Sequence, residues 1–135
     1  MKKNVFAADQ MLIHALLQRS SPIACNENSV LFSQGQVASG LFIVQSGEAV
    51  LMMESRPGRA VMCLHAIPGS LLGMPAICGK APYTLTATAR KGSDVRFVSR
   101  DDFDNLLEAE PQLALKVLQL VASEVIAARH AFSEL

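Results

Sequence analysis

The sequence has 135 residues, enough for one domain, and its composition, half apolar and 18% charged, is not that of a disordered chain. Twelve basic residues balance twelve acidic ones, and there is no tryptophan. A chain without a basic excess is a poor ligand for phosphate backbones, so we expect no nucleic-acid contact by this chain itself. No apolar run approaches a membrane span of about 20 residues. Three widely spaced cysteines indicate neither a zinc site nor a disulfide framework, which favours a cytoplasmic protein with no membrane partner.

The first predicted element is an amphipathic helix over about residues 6–19. Its apolar residues fall on one side: Phe6, Leu12, Ile13, Leu16 and Leu17. Over about residues 29–99 the pattern changes to short apolar runs, at 30–32, 41–44, 49–53, 60–64, 85–89 and 95–98. Turn residues separate the runs, and four glycines are predicted to take positive φ there: Gly35, Gly47, Gly58 and Gly69. Short strands punctuated by Gly and Pro predict a β-sandwich or barrel.

From about residue 100 to residue 135 the pattern is helical again, with Ser99 as the predicted N-cap of the first helix. The last helix, which follows Pro111, carries two apolar stripes. One stripe, which we call the seam, has heptad spacing: Ala114, Leu118, Val121, Val125, Ala128, Phe132 and Leu135. The other, the core stripe, lies beside it: Leu113, Val117, Leu120, Ala127 and Ala131. One stripe can be buried on the chain's own barrel and the other needs a partner, so we predict a homodimer through the seam; the alternative is one wide core-facing stripe in a monomer.

The order VLFSQGQVASGLFIVQSGEAVLMM at residues 30–53, followed by RPGRAVMCLHAIPGSLLGMPAI at 56–77 and VRFVSRDDF at 95–103, resembles the cyclic-nucleotide-binding domain of Crp/Fnr bacterial transcription regulators. Several glycines fall in register with that family, and the likeness covers nearly the whole chain. The resemblance implies a mainly β fold with flanking helices, a jelly-roll (double-stranded β-helix) with a C-terminal dimerisation helix. All 135 residues would form one sensor domain.

The resemblance also implies a ligand-binding segment, in which a short helix after Gly73, with Pro75 at its first position, would receive the cyclic phosphate. The family's cyclic-nucleotide binders carry a Glu directly after this glycine, for the ribose hydroxyl, and an Arg about ten residues on, for the phosphate. Met74 and Tyr83 stand at those two positions here, so the charged anchors are missing. The candidate ligand-binding residues are Leu72, Gly73, Met74, Pro75, Ala76, Lys80, Tyr83, Thr84 and Leu85.

The function implied is regulatory sensing of a small-molecule effector, with cAMP bound weakly or replaced by another ligand, and DNA contacted only through a helix-turn-helix domain absent from this sequence. We find no motif for catalysis and expect no enzyme. Two alternatives stay open. One is an interaction domain with an empty pocket. The other is a haem-based gas sensor, since some relatives bind haem in this domain, with axial ligands from His65 and the methionines at 52, 53, 62 and 74. Cys63 and Cys78 are predicted to be buried thiols.

Overall fold

The computed structural model describes residues 4–133 of the chain, with the side chains of residues 4–130. Its helices are α1 (Gln10–Leu17), α2 (Met74–Gly79), α3 (Arg100–Ala109) and α4 (Ala114–Ser133), with a 3₁₀ turn at Pro111–Leu113. Its strands are β1 (Ser21–Ile23), β2 (Ser29–Phe32), β3 (Gly40–Ser46), β4 (Ala49–Arg56), β5 (Arg59–Ala66), β6 (Ser70–Leu72), β7 (Thr86–Ala89) and β8 (Asp94–Ser99).

The strands form two four-stranded sheets in which every pairing is antiparallel. One sheet has the order β1-β8-β3-β6 and the other β2-β7-β4-β5. Neighbours in each sheet are mostly distant in sequence, as expected when a chain winds between two facing sheets. The predicted jelly-roll is therefore confirmed, and the predicted positive φ is found at the four turn glycines.

The hydrophobic core lies between the sheets and continues under the helices. In β4 the residues Ala49 and Leu51 are buried, as the alternation of a strand predicts, but from Met52 onward the strand is no longer fully covered. The far half of the β4–β5 hairpin therefore extends past the packed core. Its inner face is left for α4 to cover.

Four details differ from the sequence predictions. The strands β1 and β6 have three residues each and were not predicted, because so short a run shows no periodicity. The first helix begins at Gln10, after its N-cap Asp9, while Phe6 precedes an extended residue, Ala7, that bridges to Ser70. Pro75 is the second residue of α2. Cys63 and Cys78 are exposed, so the prediction of buried thiols was wrong for both.

The C-terminal helices close one side of the roll. Ser99 caps α3 by accepting a hydrogen bond from the Asp102 backbone N–H, as predicted. Lys116 Nζ of α4 pairs with Asp9 Oδ2 at 3.2 Å, and this contact lowers the pKa of the Asp9 carboxyl. By length and composition alone, the stretch Pro111–His130 is apolar enough to cross a membrane, which the sequence analysis did not anticipate. One such helix is a weak indication, and here its core stripe packs against the roll.

Candidate ligand-binding site

The segment from Leu72 to Leu85 runs from the end of β6 through α2 to the start of β7. Gly73 has a φ of +95°, and a Cβ on it would lie 3.1 Å from the Gly40 carbonyl oxygen and from Tyr83 Cε1. Only glycine fits this turn without strain. Apart from Gly73 and Tyr83, the predicted site residues fall into three groups. Leu72, Met74 and Ala76 are buried, and Lys80 is exposed. Pro75, Thr84 and Leu85 line a cavity.

Tyr83, which the sequence analysis placed at the position of the family's phosphate-binding Arg, points into the protein. Its hydroxyl donates to the Gly40 carbonyl oxygen at 2.7 Å and accepts from the backbone N–H groups of Ser39 and Gly40 at 3.1 Å each. Its ring stacks on Phe32 with centroids 4.1 Å apart. These contacts fix the phenol between the two sheets, so Tyr83 is a structural side chain of the roll in this structure.

The space between α2 and Tyr83 is almost filled. A niche of about 10 Å³ remains there, lined by residues that include Gly73, Ala76, Tyr83 and Glu124. About 10–15 Å³ is needed to admit one water molecule. A cyclic phosphate does not fit this niche unless the Tyr83 ring moves.

A larger cavity of about 210 Å³ lies next to the niche, between the β4–β5 hairpin and α4. We call it the α4 cavity. Its walls are Val5, Phe6, Met53, Met62, Leu64, Pro75, Thr84, Leu85, Glu124, Val125, Ala127 and Ala128. Of these residues, only Glu124 carries an ionisable side chain, and Thr84 adds one hydroxyl. The cavity is therefore an apolar space with one carboxyl group in its wall.

The Glu124 carboxyl is the electrostatic centre of this site. Its Oε2 atom is buried, and among the described residues it has no hydrogen-bond partner. Burial raises the pKa of Glu124 to about 8, because an ionised carboxylate is poorly solvated against apolar walls. The carboxyl is therefore mainly protonated at pH 7. Glu124 also borders the niche, so it lies beside the place where the family would bind a phosphate.

The sequence analysis placed Pro75, Thr84 and Leu85 at the site and missed the opposite walls. Met53, Met62 and Leu64 reach the cavity only because the hairpin folds against α4, which no local pattern shows. Glu124 did leave a trace in the sequence. The core stripe steps from Leu120 to Ala127 and passes over position 124, where a charged residue stands on a face that is otherwise apolar.

Of the side chains considered as haem ligands, Met53 and Met62 line the α4 cavity, but His65, Met52 and Met74 do not. His65 is half exposed, and its Nδ1 lies 3.4 Å from Glu48 Oε1. Met52 points outward and Met74 is buried in the core, while Met53 and Met62 line the cavity. No histidine is found among the described residues that line the cavity.

The two stripes of α4 have different surroundings. The core stripe is buried at Leu113, Val117 and Leu120. On the seam, Leu118 is 61% exposed and Val125 is 50% exposed. Val121 lies between the two faces and packs partly against the chain's own core. The side chains of Ala131 and Phe132, and the whole of Leu135, lie outside the described part of the chain.

Comparison with known proteins identifies the family to which this chain belongs. The model of the cyclic nucleotide-binding domain matches residues 23–110. The chain belongs to the cyclic nucleotide-binding domain family. This is a family of regulatory ligand-binding domains and not of enzymes, and the matched range runs from the end of β1 to the end of α3.

A bacterial transcription regulator is among the relatives. The HTH-type transcriptional regulator Cmr of Mycobacterium tuberculosis (strain CDC 1551 / Oshkosh) is 33% identical over 102 residues. Those residues are 75% of this chain and 41% of the regulator, so the chain spans less than half of that relative. The predicted resemblance to Crp/Fnr sensor domains is confirmed.

Solved structures show the same fold. The catabolite activator protein of Thermus thermophilus has a TM-score of 0.72 at 21% identity, over 97% of this chain and 62% of that one. The sensor domain of the transcriptional regulator DNR from Pseudomonas aeruginosa has a TM-score of 0.68 at 18% identity, over 90% and 82%. The N-terminal domain of a transcriptional regulator from Streptomyces coelicolor A3(2) has a TM-score of 0.67 at 24% identity, over 96% and 91%.

Proposed function

We propose that this chain is the effector-sensing domain of a Crp/Fnr-type transcription regulator and that its effector binds in the α4 cavity. One observation carries the proposal. The protein keeps an apolar cavity of about 210 Å³ against α4, the helix proposed to pair in a dimer, while the neighbouring niche is closed by Tyr83. Mostly apolar walls that come from three parts of the fold, with one carboxyl group among them, are the usual character of a small-molecule site.

In this proposal cAMP is a poor ligand. Among the described residues that line the cavity and the niche, no Lys or Arg is available to the phosphate, and Lys80 is exposed at the end of α2. Each charge-assisted hydrogen bond contributes about 1.5–3 kcal/mol, so the absence of both the Arg and the Glu weakens binding roughly 100- to 10,000-fold. Glu124 adds an acidic group beside the phosphate position. Its ionised form would repel the ligand further.

The wider role follows from the same family. The domain is proposed to form a homodimer through the seam and to work in the cytoplasm. With a net charge of zero, these 135 residues do not contact DNA in this proposal. DNA would be bound by a helix-turn-helix domain, which the name of the Mycobacterium relative indicates for that protein.

Titration of the chain with cAMP, followed by calorimetry and by amide NMR shifts, tests the proposal. We expect no binding at micromolar cAMP, and shifts at Thr84, Leu85 and Val125 only at millimolar concentration. A Leu64→Trp variant, in which the added ring fills the cavity, should lose those weak shifts. Micromolar cAMP affinity would overturn the weak-ligand proposal. Identical behaviour of Leu64→Trp and the unmodified chain towards cAMP and all small apolar probes would favour an interaction domain with an empty pocket.

A further inference from the structure

The α4 cavity contains one polar group whose chemistry the proposed function does not yet use. Glu124 stands on the core-facing side of α4, among walls formed by Met53, Met62, Leu64 and Leu85. A carboxyl in such a place is costly unless another group satisfies it. Its Oε2 atom has no protein partner among the described residues. A ligand in the cavity is the group that would provide one.

The surroundings keep this carboxyl uncharged. Among the described residues that line the cavity there is no Lys, Arg or His. The titratable group that faces Glu124 from another element is the Cys78 thiol of α2. Partial desolvation, then Glu124, then Asp104 of α3 raise the pKa of that thiol, so it too is neutral at pH 7. A neutral carboxyl presents one O–H donor and one carbonyl acceptor to the cavity.

Size and polarity narrow the class of ligand. An apolar cavity of about 150 Å³ accepts benzene, so about 210 Å³ suits a molecule of the size of a substituted benzene. An anion would meet no cation there. An ammonium ion would require Glu124 to ionise and both charges to lose their hydration. A neutral acceptor, by contrast, takes the O–H of Glu124 and leaves the apolar walls to bind the rest of the molecule.

We infer that the α4 cavity binds a compact, uncharged, mainly apolar molecule with one hydrogen-bond acceptor, a carbonyl oxygen or ring nitrogen, to which the carboxyl O–H of Glu124 donates a hydrogen bond. The inference rests on the proposed function, because it names the ligand class of the same site. The polar feature that the site recognises is then a hydrogen-bond acceptor on an apolar molecule, and not a cyclic phosphate. Glu124 is the residue that determines this specificity.

Four probes of similar shape test the ligand class: acetophenone, its hydrocarbon analogue isopropylbenzene, the cation 1-phenylethylamine and the anion benzoate. At about pH 6.5, where Glu124 holds its proton, we expect acetophenone to bind about fivefold more tightly than isopropylbenzene, the contribution of one hydrogen bond. Benzoate and the amine should bind more weakly than both. At about pH 9.5, where Glu124 is ionised, the preference for acetophenone should disappear.

Two variants assign the effect to Glu124. In Glu124→Gln the amide N–H₂ still donates, so we expect the acetophenone preference to persist and to become independent of pH. In Glu124→Leu the preference should be lost while isopropylbenzene still binds. Glu108→Gln, the same substitution at an exposed position of α3, should behave like the unmodified chain.

The outcomes separate the ligand class from the proposed function. Tighter binding of the amine, with affinity rising as the pH rises, or tighter binding of benzoate, would overturn the ligand class and leave a ligand-binding cavity. Failure of all four probes and of cAMP to shift the cavity residues would overturn both the class and the sensing function. Equal affinity for acetophenone and isopropylbenzene in the unmodified chain and in every variant would contradict the role of Glu124 as hydrogen-bond donor to the ligand.

Discussion

At the scale of single residues, two side chains decide what the site can bind. Tyr83 replaces a cation by a phenol that hydrogen-bonds to the backbone at Ser39 and Gly40, and its ring closes the niche. Glu124 places a carboxyl in an apolar wall. In the proposed function, the first change removes the attraction for a phosphate and the second adds a neutral donor.

The hydroxyl of Tyr83 is expected to stabilise the fold. Tyr83→Phe would leave the Gly40 carbonyl and two backbone N–H groups without this partner, which costs about 1–3 kcal/mol in the free energy of unfolding. Urea denaturation of the two proteins measures the difference. Thr84→Val, which removes an exposed hydroxyl from the next residue, serves as the control and should change stability by under about 0.5 kcal/mol. Equal stability of Tyr83→Phe and the unmodified protein would contradict the role given to this hydroxyl.

Glu124 is expected to make stability depend on pH. Its pKa is about 8 in the folded protein, against an ordinary value of 4.5, so the folded state keeps a proton that the unfolded chain has released. The stabilising contribution is complete below about pH 4.5 and is lost as the pH rises through about 8. Within that interval each pH unit lowers the free energy of unfolding by up to about 1.4 kcal/mol. Urea midpoints measured across the interval give this slope.

The matched variants make the assignment to Glu124 specific. Glu124→Gln carries no titrating group, so its stability should fall less with pH and exceed that of the unmodified protein near pH 8. Glu108→Gln should retain the original slope. Parallel curves for Glu124→Gln and the unmodified protein would show that Glu124 titrates normally.

The residues around Gly73 could be predicted from the sequence because a family pattern places them. Thr84 and Leu85 are examples, and both line the α4 cavity. The inward direction of Tyr83 could not be predicted, because it depends on a stacking partner, Phe32, that is remote in sequence. Glu124 could have been found as the charged interruption of the core stripe. What could not be read from it was the protonation state, which burial determines.

At the scale of elements, α4 presents its apolar residues in two directions. The core stripe anchors the helix on the roll, and Leu118 and Val125 of the seam remain exposed in the single chain. Exposed leucine and valine at heptad spacing are typical of a helix that pairs with another helix. The two predicted stripes of α4 thus face different surroundings, except that Val121 of the seam packs partly against the chain's own core.

Charges on the seam are expected to abolish the proposed dimer. The double variant Leu118→Glu/Val125→Glu places like charges across a two-fold helix pair, where desolvation makes them costly. Sedimentation should then report a monomer where the unmodified protein is a dimer. Leu115→Glu/Ile126→Glu is the matched control, because these residues are 58% and 56% exposed on another side of the same helix. A monomeric unmodified protein at tens of micromolar concentration would rule out the seam as a dimer interface.

Most elements were predictable where the pattern was long enough to show its period. The runs at 41–44 and 49–53 correspond to β3 and β4, and Ser99 marked the start of α3. The strands β1 and β6 were missed because pairing with β8 and β3, and not their own composition, makes them strands. Phe6 was assigned to a helix because an apolar residue at the right spacing looks the same in an extended segment that packs on the core.

At the scale of the whole molecule, the fold and the ligand chemistry are separable. The two sheets and the helix order follow the fold of the Thermus thermophilus catabolite activator protein, to which the TM-score is 0.72. The side chains of the site follow the family only in part. A jelly-roll is held by its inner faces, so residues that border a cavity can change while the roll persists. The α4 cavity joins the roll to the helix because its walls come from both.

This shared wall predicts that ligand binding and dimerisation are linked. Val125 and Ala128 belong to the seam and also line the α4 cavity. A ligand that fills the cavity contacts these residues from inside, so it should alter the position of α4 relative to a partner helix. Because linkage is reciprocal and a homodimer carries two cavities, the factor by which saturating ligand changes the dimer dissociation constant equals the square of the factor by which dimerisation changes the affinity of each cavity.

Sedimentation with and without saturating acetophenone measures the first factor, and we expect a change of about 5- to 150-fold, the usual range of coupling between sites. Calorimetry on the unmodified protein and on Leu118→Glu measures the second factor. Leu118 belongs to the seam and does not line the cavity, so this variant should affect ligand affinity only by removing the dimer. A first factor equal to the square of the second would identify α4 as the element through which the cavity reports its occupancy. An unchanged dimer constant with the cavity filled would mean that the helix pairs independently of the ligand, as in an interaction domain.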